Sequence, residues 1–220
     1  KPSSAASDVY KRQVHPRAIL IENVRGILTS RFDGFRERVD RSLDKEGFDT
    51  NWTWFDASRF GVPQVRARAF LVALRRGHTK PLRWPIETVK QVQTVGAAIG
   101  DLMGSNGWLG VGEWMKKANA PAPTIVGGSK KHGGPDLGPT RARREWLELG
   151  VDGLAIGDAP PSKDFKGNPR LTIPMVASLQ SFPRDWEFMG TKTHRYRQVG
   201  NALPVKLAEA VALAVRGCLE

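Results

Sequence analysis

Phe60-Gly-Val-Pro-Gln-Val-Arg-Ala-Arg68 runs directly into Ala69-Phe-Leu-Val-Ala-Leu74, and this passage decides how the chain is read. In its first part Gln64, Arg66 and Arg68 alternate with Val65 and Ala67. If the segment is extended, a period of two puts all three polar side chains on one face. Such a face makes sense where it meets something polar and anionic; the plain alternative is an edge strand carrying two solvated arginines. The second part is apolar at every position, as expected of a strand covered on both faces.

Upstream, Arg17-Ala-Ile-Leu-Ile21 is a short apolar run that reads as a buried strand of a parallel sheet. Leu28, Phe32, Phe35, Val39 and Leu43 then recur every three or four residues, which predicts an amphipathic helix ended by Gly47. Trp52 to Phe55 reads as a second strand. Strand, helix, strand, loop, strand is a piece of a doubly wound α/β sheet.

Downstream, Pro81, Trp84 and Pro85 interrupt the pattern. From about Glu87 to Lys166 periodicity is weak and Gly and Pro are frequent. Trp108, Trp114 and Trp146 nevertheless supply apolar anchors, so this interval is expected to be a small, loop-rich folded domain. Leu171, Val176, Leu179 and Phe182 predict a short helix closed by Pro183. Val205, Leu207, Ala208, Val211, Ala212 and Val215 predict a helix from Pro204 to Leu219. The expected division is an unassigned segment 1–16, part of the α/β sheet at 17–78, the loop-rich domain at 79–167, and a return segment with its helix at 168–220.

With 34 Lys and Arg against 22 Asp and Glu, the formal charge is +12. A charge of that sign favours a polyanionic partner, because bound Lys and Arg release counterions from a phosphate backbone. No run has the length and apolarity of a membrane span, none resembles a signal peptide, and the expected compartment is the cytoplasm. The single cysteine, Cys218, excludes a disulfide framework and a Cys-rich zinc site. It follows a helix instead of opening one, and so lacks the setting that activates a thiolate. A basic RNA-binding protein would show an aromatic ribonucleoprotein motif, which this sequence lacks.

Ile21-Glu-Asn-Val24, Phe60 to Arg68 and Tyr196-Arg-Gln-Val-Gly-Asn-Ala-Leu-Pro204, in that order, resemble the later motifs of DNA cytosine-5 methyltransferases. The resemblance covers nearly all of residues 17–219. It implies a partial Rossmann-like methyltransferase sheet with a small loop-rich target-recognition domain, S-adenosylmethionine as methyl donor and double-stranded DNA as partner. In that family the target cytosine is flipped out of the duplex, and a carboxyl group at ring N3 assists addition of a Cys thiolate to C6. Glu22 matches the proton donor, with Asn23 helping to orient it. Arg68 matches the contact to the base near O2, with Arg66 and Gln64 supporting it; a guanidinium suits this because it stays charged and donates in a fixed fork. Gly200, Asn201 and Ala202 match the border of the methyl-donor pocket. Leu179-Gln-Ser-Phe-Pro-Arg-Asp-Trp186 resembles the scaffold motif that organises the recognition domain.

Lys130, Lys131, His132, Arg141, Arg143 and Arg144 gather among small residues in the interval that the resemblance assigns to DNA reading. The family also requires a glycine-rich cofactor loop and a Pro-Cys nucleophile motif, and both would precede residue 1. The sequence begins with Lys, which reads as a processed or incomplete product. The expectation is therefore a C-terminal fragment or subunit, completed by an N-terminal half that supplies those two elements. The alternative is a non-catalytic DNA-binding module.

Overall fold

The computed structural model describes residues 15–77, 80–127 and 134–220. These form an α/β chain with one three-stranded sheet and seven α-helices among the described residues. Two compact units divide the chain. The first takes 1–55, 67–85 and 211–220; the second takes 56–66 and 86–210.

The first unit is built on β1 (Ala18–Val24), α1 (Asp33–Lys45), β2 (Phe48–Asp56) and β3 (Ala67–Arg75). The sheet order β1-β3-β2 puts β3 in the middle, and its apolar run follows from that position. Leu71 and Ala73 face Leu43 of α1 together with Ile19, Val39, Phe48 and Trp52. Val72 and Leu74 face the other way, onto Cys218, Val215, Leu219 and Trp84. A strand with helices on both faces has no solvent side on which to place polar residues. Gly47 turns the chain out of α1 with φ 83°, a left-handed conformation that glycine adopts at no steric cost.

The expectation for β1 is corrected in two respects. It pairs antiparallel with β3, from Ala18 opposite Leu74 to Val24 opposite Arg68, where a parallel sheet was expected. It is also an edge strand, with Leu20, Ile21 and Val24 exposed at 41%, 42% and 58%. A short apolar run reports a capacity for burial but not the direction of the neighbouring strand. The stripe on α1 is likewise buried only at its end: Leu43 is in the core, while Phe32 and Phe35 are exposed.

The second unit buries a large cluster around Ile99, Trp114, Trp146, Leu137, Leu171, Met175 and Tyr196. The interval read as loop-rich contains α2 (Val95–Met103), α3 (Val111–Lys117) and α4 (Thr140–Glu148). Its tryptophans anchor it as expected, and two of them also satisfy their ring N–H: Trp114 donates to Gly150 O at 3.1 Å and Trp108 to Phe165 O at 2.9 Å. α5 (Ile173–Leu179), α6 (Lys192–Asn201) and α7 (Val205–Leu219) complete the chain. The helix at 192–201 was not foreseen, because Lys-Thr-His-Arg-Tyr-Arg-Gln carries no apolar period.

Candidate active-site residues and a buried polar staple

In the first unit Glu22 lies near the carboxyl end of β1 and Arg68 near the start of β3. The register sets Glu22 opposite Phe70 and Val24 opposite Arg68, so the two charged residues are diagonal neighbours on one face. Arg68 Nε donates to Glu22 Oε1 at 2.7 Å, with the side chains 12% and 31% exposed. Burial pulls the Arg68 guanidinium below its ordinary range, and the charge and hydrogen bond of Glu22 work against that shift. Asn23 points to the opposite face and its Oδ1 accepts from Val24 N at 2.8 Å. Its side chain therefore holds the backbone at the end of the strand.

Gln64 and Arg66 belong to the second unit, and the chain changes unit between Arg66 and Ala67. The three polar residues expected on one face are thus divided: Arg68 pairs with Glu22, while Gln64 and Arg66 are buried at 0% and 2% exposure. Gln64 Oε1 accepts from Ile125 N at 2.9 Å, and its Nε2 donates to Gln180 Oε1 at 3.1 Å and to Leu179 O at 3.3 Å. Arg66 donates to three carbonyls: Ile125 O at 2.5 Å, Gly200 O at 3.0 Å and Ala202 O at 3.1 Å. The last two lie at the end of α6, where a helix leaves carbonyls without intrahelical partners and favours a cation. The guanidinium expected to support Arg68 is here engaged with protein backbone.

Gly200 is buried against another backbone. A Cβ on Gly200 would lie 2.8 Å from both Cα and N of Gly127, and a Cβ on Gly127 would lie 2.3 Å from Asn201 Oδ1. Only glycine permits this crossing. Asn201 is exposed and Ala202 half-buried, so those two remain accessible to a ligand while Gly200 serves the packing. Tyr196, which opens the last motif, is fully buried. Burial, and after it the charge of Asp136, raise its phenol well above the ordinary range and keep it protonated.

Of the basic residues singled out, Arg141, Arg143 and Arg144 lie on α4, whose Trp146 enters the core. Arg141 pairs with Glu145 at 3.3 Å on the surface, Arg143 Nε donates to Gly138 O at 2.8 Å, and Arg144 is exposed. Lys130, Lys131 and His132 lie outside the described residues. Among the described residues no group of His, Cys, Asp and Glu could hold a metal ion, and no helix is long and apolar enough to cross a membrane. Cys218 is buried among apolar side chains beside Val72 and Leu74, a setting without an activating charge.

Sequence reasoning quoted Gln180 only as part of the scaffold motif; it is fully buried and donates from Nε2 to Val199 O at 3.1 Å. The available signal was a lone amide directly after the apolar residues of α5. Its partners, 19 and 116 residues away, carry no local signature.

By fold the chain is an α/β protein of the methyltransferase kind. It matches the crystal structure of the S. pombe Dnmt2 methyltransferase with a TM-score of 0.57 at 18% identity, covering 99% of this chain and 75% of that one. The Entamoeba histolytica methyltransferase EhMeth matches with a TM-score of 0.55 at 14% identity, covering 93% of this chain and 64% of that one. The family is narrower: the model of the C-5 cytosine-specific DNA methylases matches residues 10–216, and the chain belongs to that family. It is 50% identical over 207 residues to the Type II methyltransferase M.NaeI of Lentzea aerocolonigenes, covering 93% of this chain and 50% of that protein. It is 39% identical over 203 residues to M.NgoMIV of Neisseria gonorrhoeae, covering 91% and 64% respectively. The chain thus spans about half to two-thirds of these relatives' length.

Proposed function

We propose that this chain is the C-terminal part of a DNA cytosine-5 methyltransferase of a restriction-modification system. It would transfer a methyl group from S-adenosylmethionine to C5 of a flipped-out cytosine. The observation that carries the reading is the Glu22–Arg68 pair. A carboxyl oxygen and a guanidinium edge lie 2.7 Å apart at the carboxyl end of β1, where open α/β sheets place their reactive groups.

A pyrimidine ring presented to this pair meets two different hydrogen-bonding groups. Once Glu22 has taken up a proton, its carboxyl group would pass that proton to N3 as negative charge develops there, and Arg68 would donate to O2, stabilising the same charge from the adjacent position. Arg68 also fixes where Glu22 stands, so the proton donor is held before the base arrives. S-adenosylmethionine, when bound, supplies an electrophilic methyl group. The accessible Asn201 and Ala202 fit its border, whereas the packing of Gly200 against Gly127 leaves Gly200 a role in shaping that turn. The glycine loop and the Pro-Cys nucleophile are assigned to an N-terminal half or subunit. The recognition domain is assigned to residues 79–167, with Lys130, Lys131, His132 and the arginines of α4 on the phosphates. A module that only bound DNA would have no use for a shielded carboxylate–guanidinium pair in this position.

The test is Glu22→Gln in the enzyme completed by its N-terminal half. Single-turnover methyl transfer should fall on the order of a hundredfold, the scale of losing a positioned general acid, while DNA affinity changes little. An unchanged rate would remove Glu22 from the chemistry.

A further inference from the structure

The turn that follows Glu22 carries an arginine that the proposed chemistry does not use. Arg25 opens the short 3-10 turn Arg25–Leu28 directly after β1, and its guanidinium carbon lies 3.7 Å from the centre of the Trp54 ring. Trp54 belongs to β2 and is 41% exposed. It stands two residues from Trp52, which packs with Leu43, Leu71 and Ala73, so the stack is on the α1 side of the sheet. The Glu22–Arg68 pair is on the other side: Glu22 is opposite Phe70, whose ring lies 6.0 Å from that of Phe55, the residue after Trp54. The two sites share one end of the sheet and are divided by its thickness.

Arg25 is exposed, held in place and left with its charge uncompensated. The carboxylates around it in the first unit are engaged elsewhere: Glu22 by Arg68, Asp33 by Arg36, Asp40 by the Trp52 ring N–H, and Asp44 and Asp49 by Arg76. The turn itself is pinned by Arg36 of α1, which donates to Ile27 O at 2.6 Å and to Thr29 O at 3.2 Å. Beside Arg25 the surface is open, since a Cβ on Gly26 would meet nothing within 4 Å. A guanidinium over a ring face still has its fork of N–H donors to give. Ordering a long side chain has an entropic cost, and an arginine kept for solubility gains nothing from it. One kept for an anion binds more tightly, because that cost is met before the ligand arrives. We infer that Arg25, presented by Trp54, binds a phosphate of the DNA backbone. This rests on the reading given under Proposed function. In extended chain Glu22 and Arg25 are about 10 Å apart, which suits a base at the first and a backbone phosphate at the second. Because the sheet stands between the stack and the pair, Arg25 contributes to DNA affinity and makes no contact with the reacting ring.

The experiment measures the affinity of the chain for random-sequence duplex DNA across a salt series. It compares the wild type with Arg25→Gln, Trp54→Leu and Arg38→Gln, the last an exposed arginine of α1 that serves as control. In Arg25→Gln the slope of log affinity against log salt should fall by about 0.9, the value of one phosphate contact, and binding should weaken roughly five- to tenfold at low salt. In Trp54→Leu the slope should hold while affinity drops about threefold, because the charge remains and only its placement is lost. Arg38→Gln should leave the slope as it is. An unaltered slope in Arg25→Gln overturns the inference. An equal loss in Arg38→Gln also overturns it, since the effect would then report net charge and not a site. Wild-type affinity in Trp54→Leu does the same, because the stack would present nothing. Failure of the wild type to bind duplex DNA overturns the DNA reading of the chain and this inference together.

Discussion

Separating Glu22 from Arg68 should cost the first unit about 2 kcal/mol. At 2.7 Å the gross attraction is roughly 6 kcal/mol for an effective dielectric of 20. Most of that offsets the desolvation already visible in the lowered Arg68 guanidinium. Exposed pairs are worth about 0–1 kcal/mol, and stranding one member of a buried pair costs about 3–5 kcal/mol. With side chains 12% and 31% exposed this pair falls between those limits. Glu22→Gln keeps the shape and an acceptor for Arg68 Nε, so alone it should lose only the charge-assisted part, about 1 kcal/mol. Arg68→Met removes the donor and leaves a half-shielded carboxylate, costing about 2 kcal/mol. The double variant should cost less than the sum, with a coupling of about 1 kcal/mol. Amide exchange at Leu71 and Ala73 reads the opening of the central strand itself and suits a chain of two units. A coupling below about 0.3 kcal/mol would show that the two charges stand side by side without mutual stabilisation, and the argument for a pre-held proton donor would fall with it.

Other consequences follow from the same geometry. Gly200→Ala should destabilise the second unit by about 2–3 kcal/mol in urea unfolding, because the new methyl meets backbone at 2.8 Å; helix propensity alone predicts a gain of about 1 kcal/mol. Asp101 is held below the ordinary carboxylate range by its hydrogen bonds from Arg184, at 2.5 Å and 3.1 Å. A depressed folded-state value adds stability above the unfolded value that is lost as pH falls through the folded one. An acid titration of Asp101→Asn should therefore show a slightly shallower loss below pH 3.8, limited to a few tenths of a kcal/mol by exposure. Replacing Arg143 and Arg144 by Ala should reduce the slope of log affinity against log salt for duplex DNA by about 1–2; an unaltered slope would return both to solvated surface.

The sequence carried some parts of this structure plainly and concealed others for physical reasons. A strand covered on both faces must be apolar throughout, so Ala69 to Leu74 announced the middle of the sheet. The helix expected at 204–219 is observed at Val205–Leu219 because its apolar spacing survives to the end. Strand direction left no such trace, and β1 was assigned to a parallel sheet it does not form. α6 was hidden because only Tyr196, Val199 and Gly200 of its ten residues are buried. Period two grouped Gln64, Arg66 and Arg68 on one face; Gln64 and Arg66 both bind Ile125, while Arg68 pairs with Glu22. It could not show that the chain leaves their unit before Arg68, nor that Ile125, Gln180 and Gly200 supply their partners, since those pairings span 59 to 134 residues.

The central claim is tested most directly by methyl transfer from labelled S-adenosylmethionine to duplex DNA. The assay compares this chain alone with the chain joined by an N-terminal half that carries the glycine loop and Pro-Cys. The account predicts transfer to cytosine C5 only in the combined enzyme. Transfer by the chain alone would contradict the assignment of the nucleophile elsewhere, and DNA binding without transfer in the combined enzyme would make the chain a binding module instead.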